Sequence, residues 1–276
     1  MALVNLKTIL KKAKQDGFAV PAFNVYNLET VMGVISAAQE SRSPVILQCY
    51  ARLFKEGSAF YLAPSILKAA VNADVPVCFH LDHGNGDTEL MRALRYGCTG
   101  VMTDGSLLPF EENVALTKRT VCLAAPSGVS VEGELGHIGT TADASFTEFT
   151  DPGEAETFVR ETGVDALAIL VGTAHGRYKK APKPDIDRIS AINKITDAAL
   201  VLHGGSGVPD EEIKKAIKAG ISKVNFGTDV CYSFLDAVFA TSRDTVAIDL
   251  FMKGAVKAVS DFALSKIRLL GSENKA

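Results

Sequence analysis

The sequence predicts an α/β fold, a (β/α)8 TIM barrel, because short apolar runs alternate with helical patterns along the chain. A polar or glycine-rich turn and then a segment of helical spacing follow each run. The runs are Val20–Val25, Val45–Cys49, Val75–Leu81, Gly100–Thr103, Val129–Leu135, Ala166–Val171, Ala199–Leu202 and Lys223–Phe226. Eight such units close a barrel, so we predict that residues 1–276 form a single domain with extra terminal helices.

The segments between the runs carry helix start and stop signals. Pro209 and the acids after it mark a helix start, and Gly220 marks its end. Apolar positions fall at helical spacing in Glu29–Glu40, and Gly97 closes a helix from Thr88 to Tyr96. A doubly wound open sheet would also alternate strands and helices, but no Gly-x-Gly-x-x-Gly turn follows the first strand. The barrel is therefore the favoured fold.

Composition points to small-molecule partners. With 29 basic and 32 acidic side chains the net charge is -3, and no basic stripe is present for nucleic acid. No apolar stretch is long enough to span a bilayer, and the first residues lack the apolar core of a signal peptide. The five cysteines are odd in number and widely spaced, which is typical of free thiols in a reducing compartment. We expect a cytoplasmic protein that does not contact membranes.

Three histidines stand where apolar runs give way to glycine-rich turns: His83, His175 and His203. A single histidine at such a place is more often a satisfied core or surface residue, but three together indicate a site. Three neutral imidazoles that leave a position open are the ligand set of a catalytic zinc ion. Other polar residues at the predicted carboxyl ends of the strands, where barrels hold their active sites, are Asn24, Gln48, Asp82, Asp104, Ser106, Glu132, Glu134, Ser206, Asn225 and Thr228.

The turns after the seventh and eighth runs indicate a phosphate site. Gly204–Gly207 precedes the helix that starts at Pro209, and Asn225–Thr228 precedes another helical segment. Backbone N–H groups at helix starts can surround an anion, and barrels often hold phosphate at this pair of loops. Either glycine turn alone would only indicate a tight turn.

These residues lie in motifs that resemble the class II, zinc-dependent ketose-bisphosphate aldolases. The resemblance covers nearly the whole chain and is greatest to the shorter branch that contains tagatose- and fructose-bisphosphate aldolases. The motifs are Pro21–Asn24, His80–Gly84, Asp104–Ser106, Leu108–Asn113, Val131–Gly136, Gly172–Gly176 and Leu202–Gly207. The resemblance implies a barrel, a divalent metal, and reversible aldol cleavage that yields dihydroxyacetone phosphate.

The resemblance also implies roles for individual residues. His83, His175 and His203 would bind Zn²⁺, which Co²⁺ or another divalent metal could replace, and Glu134 would hold the metal in an alternative, more buried position. Asp82 would be the catalytic acid/base, and Asn225 would lie beside the enediolate. Substrate and phosphate contacts would come from Asn24, Gly176, Lys179, Gly204, Gly205, Ser206, Asn225, Gly227 and Thr228. The family further implies a homo-oligomer, a dimer or a tetramer.

Three stretches depart from the family pattern, and two of them concern the aldehyde half of the substrate. Tyr50 and Arg52 stand where relatives carry small hydroxyl and glycine residues. Asp249 aligns with an arginine that grips the terminal phosphate in relatives, and a carboxylate there would repel that phosphate. In the loop after the fifth run, the family's glutamate is missing near Ala142 or displaced to Asp143.

We therefore expect an aldolase that cleaves a ketose 1-phosphate into dihydroxyacetone phosphate and an aldehyde that is unphosphorylated or otherwise charged. Arg52 would hold an anion such as a carboxylate or sulfonate, unless it is a solvated side chain on a helix. The alternatives are a fructose- or tagatose-1,6-bisphosphate aldolase and a catalytically inactive metal-binding barrel. A lysine Schiff base is disfavoured, because the sixth run holds no lysine and Lys223 is expected at the end of the eighth run opposite the loops.

Overall fold

The computed structural model describes residues 2–141 and 149–276. Its parallel strands pair in chain order and close into a barrel, which confirms the predicted fold. The strands are β1 Val20–Asn24, β2 Val45–Tyr50, β3 Val77–Gly84, β4 Gly100–Thr103, β5 Ser130–Leu135, β6 Ala166–Ile169, β7 Ala199–Leu202 and β8 Ile221–Phe226. Ala142 and Asp143, where the family's loop acid is expected, lie outside the described residues.

Helices alternate with these strands. In the described ranges the α-helices are α1 Leu6–Asp16, α2 Leu28–Glu40, α3 Ala51–Glu56, α4 Ala59–Asn72, α5 Asp87–Arg95, α6 Phe110–Ala124, α7 Pro152–Thr162, α8 Ile186–Ile195, α9 Asp210–Ala219, α10 Thr228–Ala240 and α11 Ile248–Leu269. The predicted helix after Pro209 is α9, and Gly220 ends it with a φ of 127°, a conformation open to glycine. None of the helices in this described part is long and apolar enough to cross a membrane.

Strand side chains alternate between the helices outside and the barrel interior. Outward residues such as Phe79 and Leu200 join the large core under the helices. Inward residues such as Val20 and Ile46 pack with Leu6 of α1 in a second cluster. Helix α1 therefore closes the amino-terminal end of the barrel and leaves the carboxyl end open.

The middle of the barrel interior is polar. Glu132 from β5, His80 from β3 and Lys223 from β8 are fully buried there, and Lys223 Nζ lies 2.7 Å from Glu132 Oε2. The sequence prediction placed Lys223 at the start of its strand, but β8 begins at Ile221. Because Asn225 points inward, the period of two also turns Lys223 inward. Lys223 therefore lies inside the barrel, and its expected position at the end of the strand opposite the loops is wrong.

Helices α2 and α11 approach each other at Gly33. A Cβ added at Gly33 would lie 2.8 Å from both the Val256 carbonyl oxygen and Val259 Cβ. Contacts this short with backbone force a shift of one helix, so the close approach requires glycine.

We predict that Gly33→Ala destabilises the protein by about 1–3 kcal/mol, the usual cost of overpacking. Gly254→Ala on α11 is the matched control, because its Cβ would meet only Thr241 Oγ1 at 3.8 Å. Improved helix propensity should make that variant more stable by about 0.5–1 kcal/mol. Urea unfolding measures both free energies, and equal effects of the two substitutions would contradict the packing argument.

Candidate active site

A pocket opens at the carboxyl ends of the strands, and most of the predicted site residues line it. Those residues are Asn24, Tyr50, Arg52, Asp82, His83, His175, Gly176, Gly204, Ser206, Asn225, Gly227 and Thr228. Five predicted residues lie outside the pocket lining. His203 and Glu134 are fully buried. Gly205 is buried behind its loop, Lys179 lines a neighbouring cavity, and Asp249 is exposed in the first turn of α11.

The three predicted histidines point their ring nitrogens at one another. His83 Nε2 lies 3.3 Å from His175 Nε2 and 3.1 Å from His203 Nδ1. His203 is fully buried, whereas His175 retains some exposure to the pocket. Three ring nitrogens that converge on one point are an arrangement that could hold a shared metal ion.

A hydrogen bond at the opposite ring nitrogen fixes each imidazole. His83 Nδ1 lies 2.8 Å from Asp104 Oδ2, and His175 Nδ1 lies 3.0 Å from the Ile138 carbonyl oxygen. His203 Nε2 lies 2.9 Å from Glu132 Oε1. These oxygens only accept, so each bonded nitrogen carries a proton, and the other three nitrogens face the common point.

The backbone at His83 explains how two consecutive residues face the same pocket. Neighbouring strand residues normally point to opposite faces. His83 has a φ of 54°, in the left-handed region, and the β3–β4 register shifts between Leu81 and Gly84. This bulge turns the His83 side chain to the same side as Asp82, and the two side chains approach to 4.0 Å between His83 Nε2 and Asp82 Oδ1.

Amide side chains hold the Asp82 carboxylate. Asn24 Nδ2 donates to Asp82 Oδ2 at 2.7 Å, and Gln48 Nε2 in turn donates to Asn24 Oδ1 at 2.8 Å. Asn225 Nδ2 lies 3.5 Å from Asp82 Oδ1. Burial raises the pKa of Asp82, but His83, His203 and Lys223 outweigh it and bring the pKa below its ordinary value. Asp82 is therefore ionised and able to accept a proton.

The other titratable groups of the site respond to burial and to each other. Burial lowers the pKa of His83, but Asp82, Asp104 and Glu134 raise it to about 10. Burial and the charge of His83 lower the pKa of His175 to about 3.

Glu134 lies buried beside the histidines. Its Oε1 accepts from the Ile138 N–H at 3.0 Å, and its Oε2 lies 3.9 Å from both His83 Nδ1 and His203 Nδ1. Burial, with the nearby Asp104 carboxylate, raises the pKa of Glu134 to about 8. Within the described residues Glu134 Oε2 has no hydrogen-bond partner, so it is available to a cation.

The loops that carry His175 and His203 are joined to each other. Tyr178 OH accepts from the Ala174 N–H at 2.7 Å and lies 2.9 Å from the Gly204 carbonyl oxygen. Gly204 has a φ of 66°, and a Cβ there would lie 2.3 Å from the Ala174 carbonyl oxygen. Only glycine fits this approach. Ser206 Oγ accepts from the Asp229 N–H at 3.1 Å, which ties the Gly204–Gly207 turn to the start of α10.

Arg52 lies at the rim of the pocket between two tyrosines. Its guanidinium carbon is 5.4 Å from the Tyr50 ring centroid and 5.7 Å from that of Tyr26. In the described part of the chain no carboxylate pairs with Arg52, so its charge is available to a bound anion.

Sequence reasoning did not assign roles to several residues that shape this site. Tyr26 and His137 line the pocket, and Tyr178 joins two loops, yet none of these belongs to a recognisable local pattern. Asp104 and Glu132 were among the polar strand ends, but only their partners identify them as the acceptors of His83 and His203.

Comparison with known proteins agrees with this geometry. The YdjI aldolase from Escherichia coli K12 is 35% identical, with 99% of each chain covered and a TM-score of 0.91. A Coccidioides immitis protein, described provisionally as a fructose-1,6-biphosphate aldolase, is 29% identical over 98% of this chain and 97% of that one, with a TM-score of 0.91.

Fructose-bisphosphate aldolase (Fba) from Campylobacter jejuni shares the fold at 22% identity, over 100% of this chain and 97% of that one, with a TM-score of 0.85. Residues 4–275 match the family model for fructose-bisphosphate aldolase class-II. The match spans all eight strands and the histidine cluster, so the chain belongs to the class II fructose-bisphosphate aldolase family and is a lyase.

Proposed function

We propose that this aldolase depends on zinc and cleaves a ketose 1-phosphate into dihydroxyacetone phosphate and an aldehyde. The observation that carries the proposal is the convergence of three imidazole nitrogens beside an ionised carboxylate. His83, His175 and His203 supply the nitrogens, and Asp82 Oδ1 lies 4.0 Å from His83 Nε2.

The donor set fits zinc. Three neutral imidazoles with an open side are typical of catalytic zinc, and Co²⁺ accepts the same donors. Glu134 would supply the alternative, more buried position through Oε2, which has no hydrogen-bond partner in the part of the chain that the structure describes. When bound, the metal would withdraw electrons from the ketose carbonyl and so favour cleavage of the neighbouring carbon–carbon bond.

Asp82 would take the proton from the C4 hydroxyl as the C3–C4 bond breaks. Its low pKa keeps it ionised at neutral pH, and Asn24 holds one carboxylate oxygen while the other faces His83. Asn225 lies next to Asp82, and its Oδ1 lacks a hydrogen-bond partner among the described residues. That oxygen would accept from a substrate hydroxyl beside the enediolate.

The phosphate of dihydroxyacetone phosphate would bind between the loops after β6, β7 and β8. Gly176, Gly204, Ser206, Gly227 and Thr228 line that side of the pocket. Thr228 begins α10, so N–H groups at the helix start would face the anion. Lys179 lines an adjacent cavity, and we propose it as a source of positive charge near this phosphate.

The aldehyde half would contact Tyr50 and Arg52. Tyr50 fills part of the pocket, and Arg52, which pairs with no carboxylate among the described residues, offers a positive charge at the rim. Asp249 lies outside this pocket, so repulsion from Asp249 lends no support here. We propose an aldehyde that is uncharged or that ends in an anion such as a carboxylate or sulfonate. A 1,6-bisphosphate substrate is the second candidate, because Arg52 would also attract a terminal phosphate.

We also propose that the enzyme is a cytoplasmic homo-oligomer, a dimer or a tetramer. The support comes from the family and from exposed apolar side chains around α10 and α11, namely Phe239, Val246 and Ile248. All five cysteines are free thiols, which a reducing compartment would preserve.

Asp82→Ala should retain zinc near the wild-type content while kcat falls by about 10²- to 10⁴-fold, the range for removing a positioned acid/base. His203→Ala should instead lose the metal, and a chelator should remove the metal from wild type. Added zinc or Co²⁺ should restore the activity of the chelator-treated wild type but not that of His203→Ala. Metal analysis and steady-state kinetics measure both quantities. Equal loss of zinc from the two variants would assign Asp82 to metal binding, and full activity without metal would refute zinc dependence.

Zinc binding should release a proton. The pKa of His83 is raised to about 10, so the metal-free protein holds a proton there that zinc must displace. The affinity should therefore increase as pH rises from about 7 towards 10. The charged His83 imidazole stabilises the folded metal-free protein at pH values below the ordinary pKa of histidine. This stabilisation is lost as the pH rises through the raised pKa of about 10.

Calorimetric titration with zinc, in buffers of different ionisation enthalpy near pH 7, measures this release, which should be about one proton per zinc. A binding heat that does not depend on the buffer would contradict it.

Some ketose 1-phosphate should exceed fructose 1,6-bisphosphate in kcat/KM by at least about tenfold, or roughly 1.4 kcal/mol. Coupled release of dihydroxyacetone phosphate measures both substrate series. Arg52→Ala should lower kcat/KM only for substrates with an anionic far end, whereas Lys55→Ala, an exposed change on the same helix, should lower neither. A clear preference for a 1,6-bisphosphate would favour the second candidate.

A further inference from the structure

A polar layer lies inside the barrel below the pocket, and it consists of Glu132, Lys223 and His80. All three side chains are fully buried, and none of them lines the pocket. Glu132 Oε2 lies 2.7 Å from Lys223 Nζ and 3.4 Å from His80 Nε2. Its other oxygen, Oε1, lies 2.9 Å from His203 Nε2.

A buried ion pair is not explained by stability. Removing two charges from water costs free energy that their attraction often fails to repay, and apolar replacements of such pairs are frequently neutral or stabilising. The Glu132–Lys223 pair occupies a barrel interior whose lower layer, with Val20, Ile46 and Ala168, is apolar. The pair therefore suggests a role other than packing.

His203 differs from the other two histidines in the nitrogen that it presents. His83 and His175 turn Nε2 to the common point, whereas His203 turns Nδ1. A neutral imidazole carries one proton, and that proton must sit on Nε2 for Nδ1 to keep its lone pair. An ionised carboxylate accepts and never donates, so Glu132 favours this tautomer and fixes the ring orientation. Asn225 Nδ2 also lies 3.2 Å from His203 Nε2, but the Glu132 contact is shorter and Asn225 Nδ2 faces Asp82 Oδ1 as well.

We propose that the Glu132–Lys223 pair positions His203 for metal binding. Lys223 holds one oxygen of Glu132, and the other oxygen holds the proton of His203 on Nε2, which leaves Nδ1 facing the nitrogens of His83 and His175. Both are positioning residues, because neither touches the substrate pocket. This proposal rests on the proposed metal dependence, and it gives Lys223 a role without covalent chemistry.

The test compares two double variants that both remove the buried charges. Glu132→Leu/Lys223→Met also removes the acceptor of His203, and its zinc affinity should fall by about 10- to 100-fold, as for other residues that orient a metal ligand. Glu132→Gln/Lys223→Met keeps an amide oxygen as acceptor and should recover most of the affinity. Competition with a chromophoric chelator measures zinc affinity, and the Co²⁺ visible spectrum reports ligand geometry.

The matched control is Thr103→Val/Thr120→Val. It removes a buried side-chain hydrogen bond of 2.7 Å that touches no histidine of the site, so its zinc affinity should equal that of wild type. Thermal unfolding of each metal-free variant separates loss of the fold from loss of the site. Wild-type affinity and an unchanged Co²⁺ spectrum in the Leu/Met variant would overturn the proposal, as would equal losses in the Gln/Met and Leu/Met variants.

A second measurement needs no variant to fold. Nitrogen-15 NMR of the imidazoles in metal-free wild type should give His203 as the Nε2–H tautomer, and an Nδ1–H tautomer would overturn the proposal. This measurement also separates the two hypotheses. If wild type fails to bind zinc, the proposed function fails, whereas the tautomer of His203 still decides whether Glu132 positions the ring.

Discussion

The site depends on a constraint that three acceptors impose on three imidazoles. Asp104, the Ile138 carbonyl and Glu132 each accept a hydrogen bond from one histidine, so the opposite nitrogens of the three rings meet at one point. These acceptors come from different strands and loops, and only closure of the barrel brings them to the right places. The fold therefore specifies the protonation pattern of the site as well as its shape.

The barrel interior is built in layers from the closed end to the open end. Apolar side chains over α1 come first, then the buried Glu132–Lys223 pair, and then the pocket. This order follows from the alternation of strand residues, since β8 places Lys223 and Asn225 on the same inward face. Charge increases towards the open end, where a phosphorylated substrate would enter.

The sequence was sufficient for the barrel, since the apolar runs and glycine turns are local features that fix strand order. It also indicated the histidine cluster, because His83, His175 and His203 each follow an apolar run. The partners of those histidines could not be predicted, because Glu132 and His203 are 71 residues apart and meet only across the closed barrel. The inward turn of Lys223 was missed, because an apolar run does not reveal which residue begins a strand.

The bulge at His83 couples the two functions proposed for Asp82 and His83 within a single peptide unit. Asp82 and His83 are adjacent, so the spacing between the proposed proton acceptor and the proposed metal ligand is set by one backbone conformation. No loop insertion elsewhere can alter that spacing. New substrates can therefore arise in this architecture by exchange of residues on other strands, such as those after β2, while the reacting centre stays unchanged. Divergence of specificity is thus separable from divergence of chemistry.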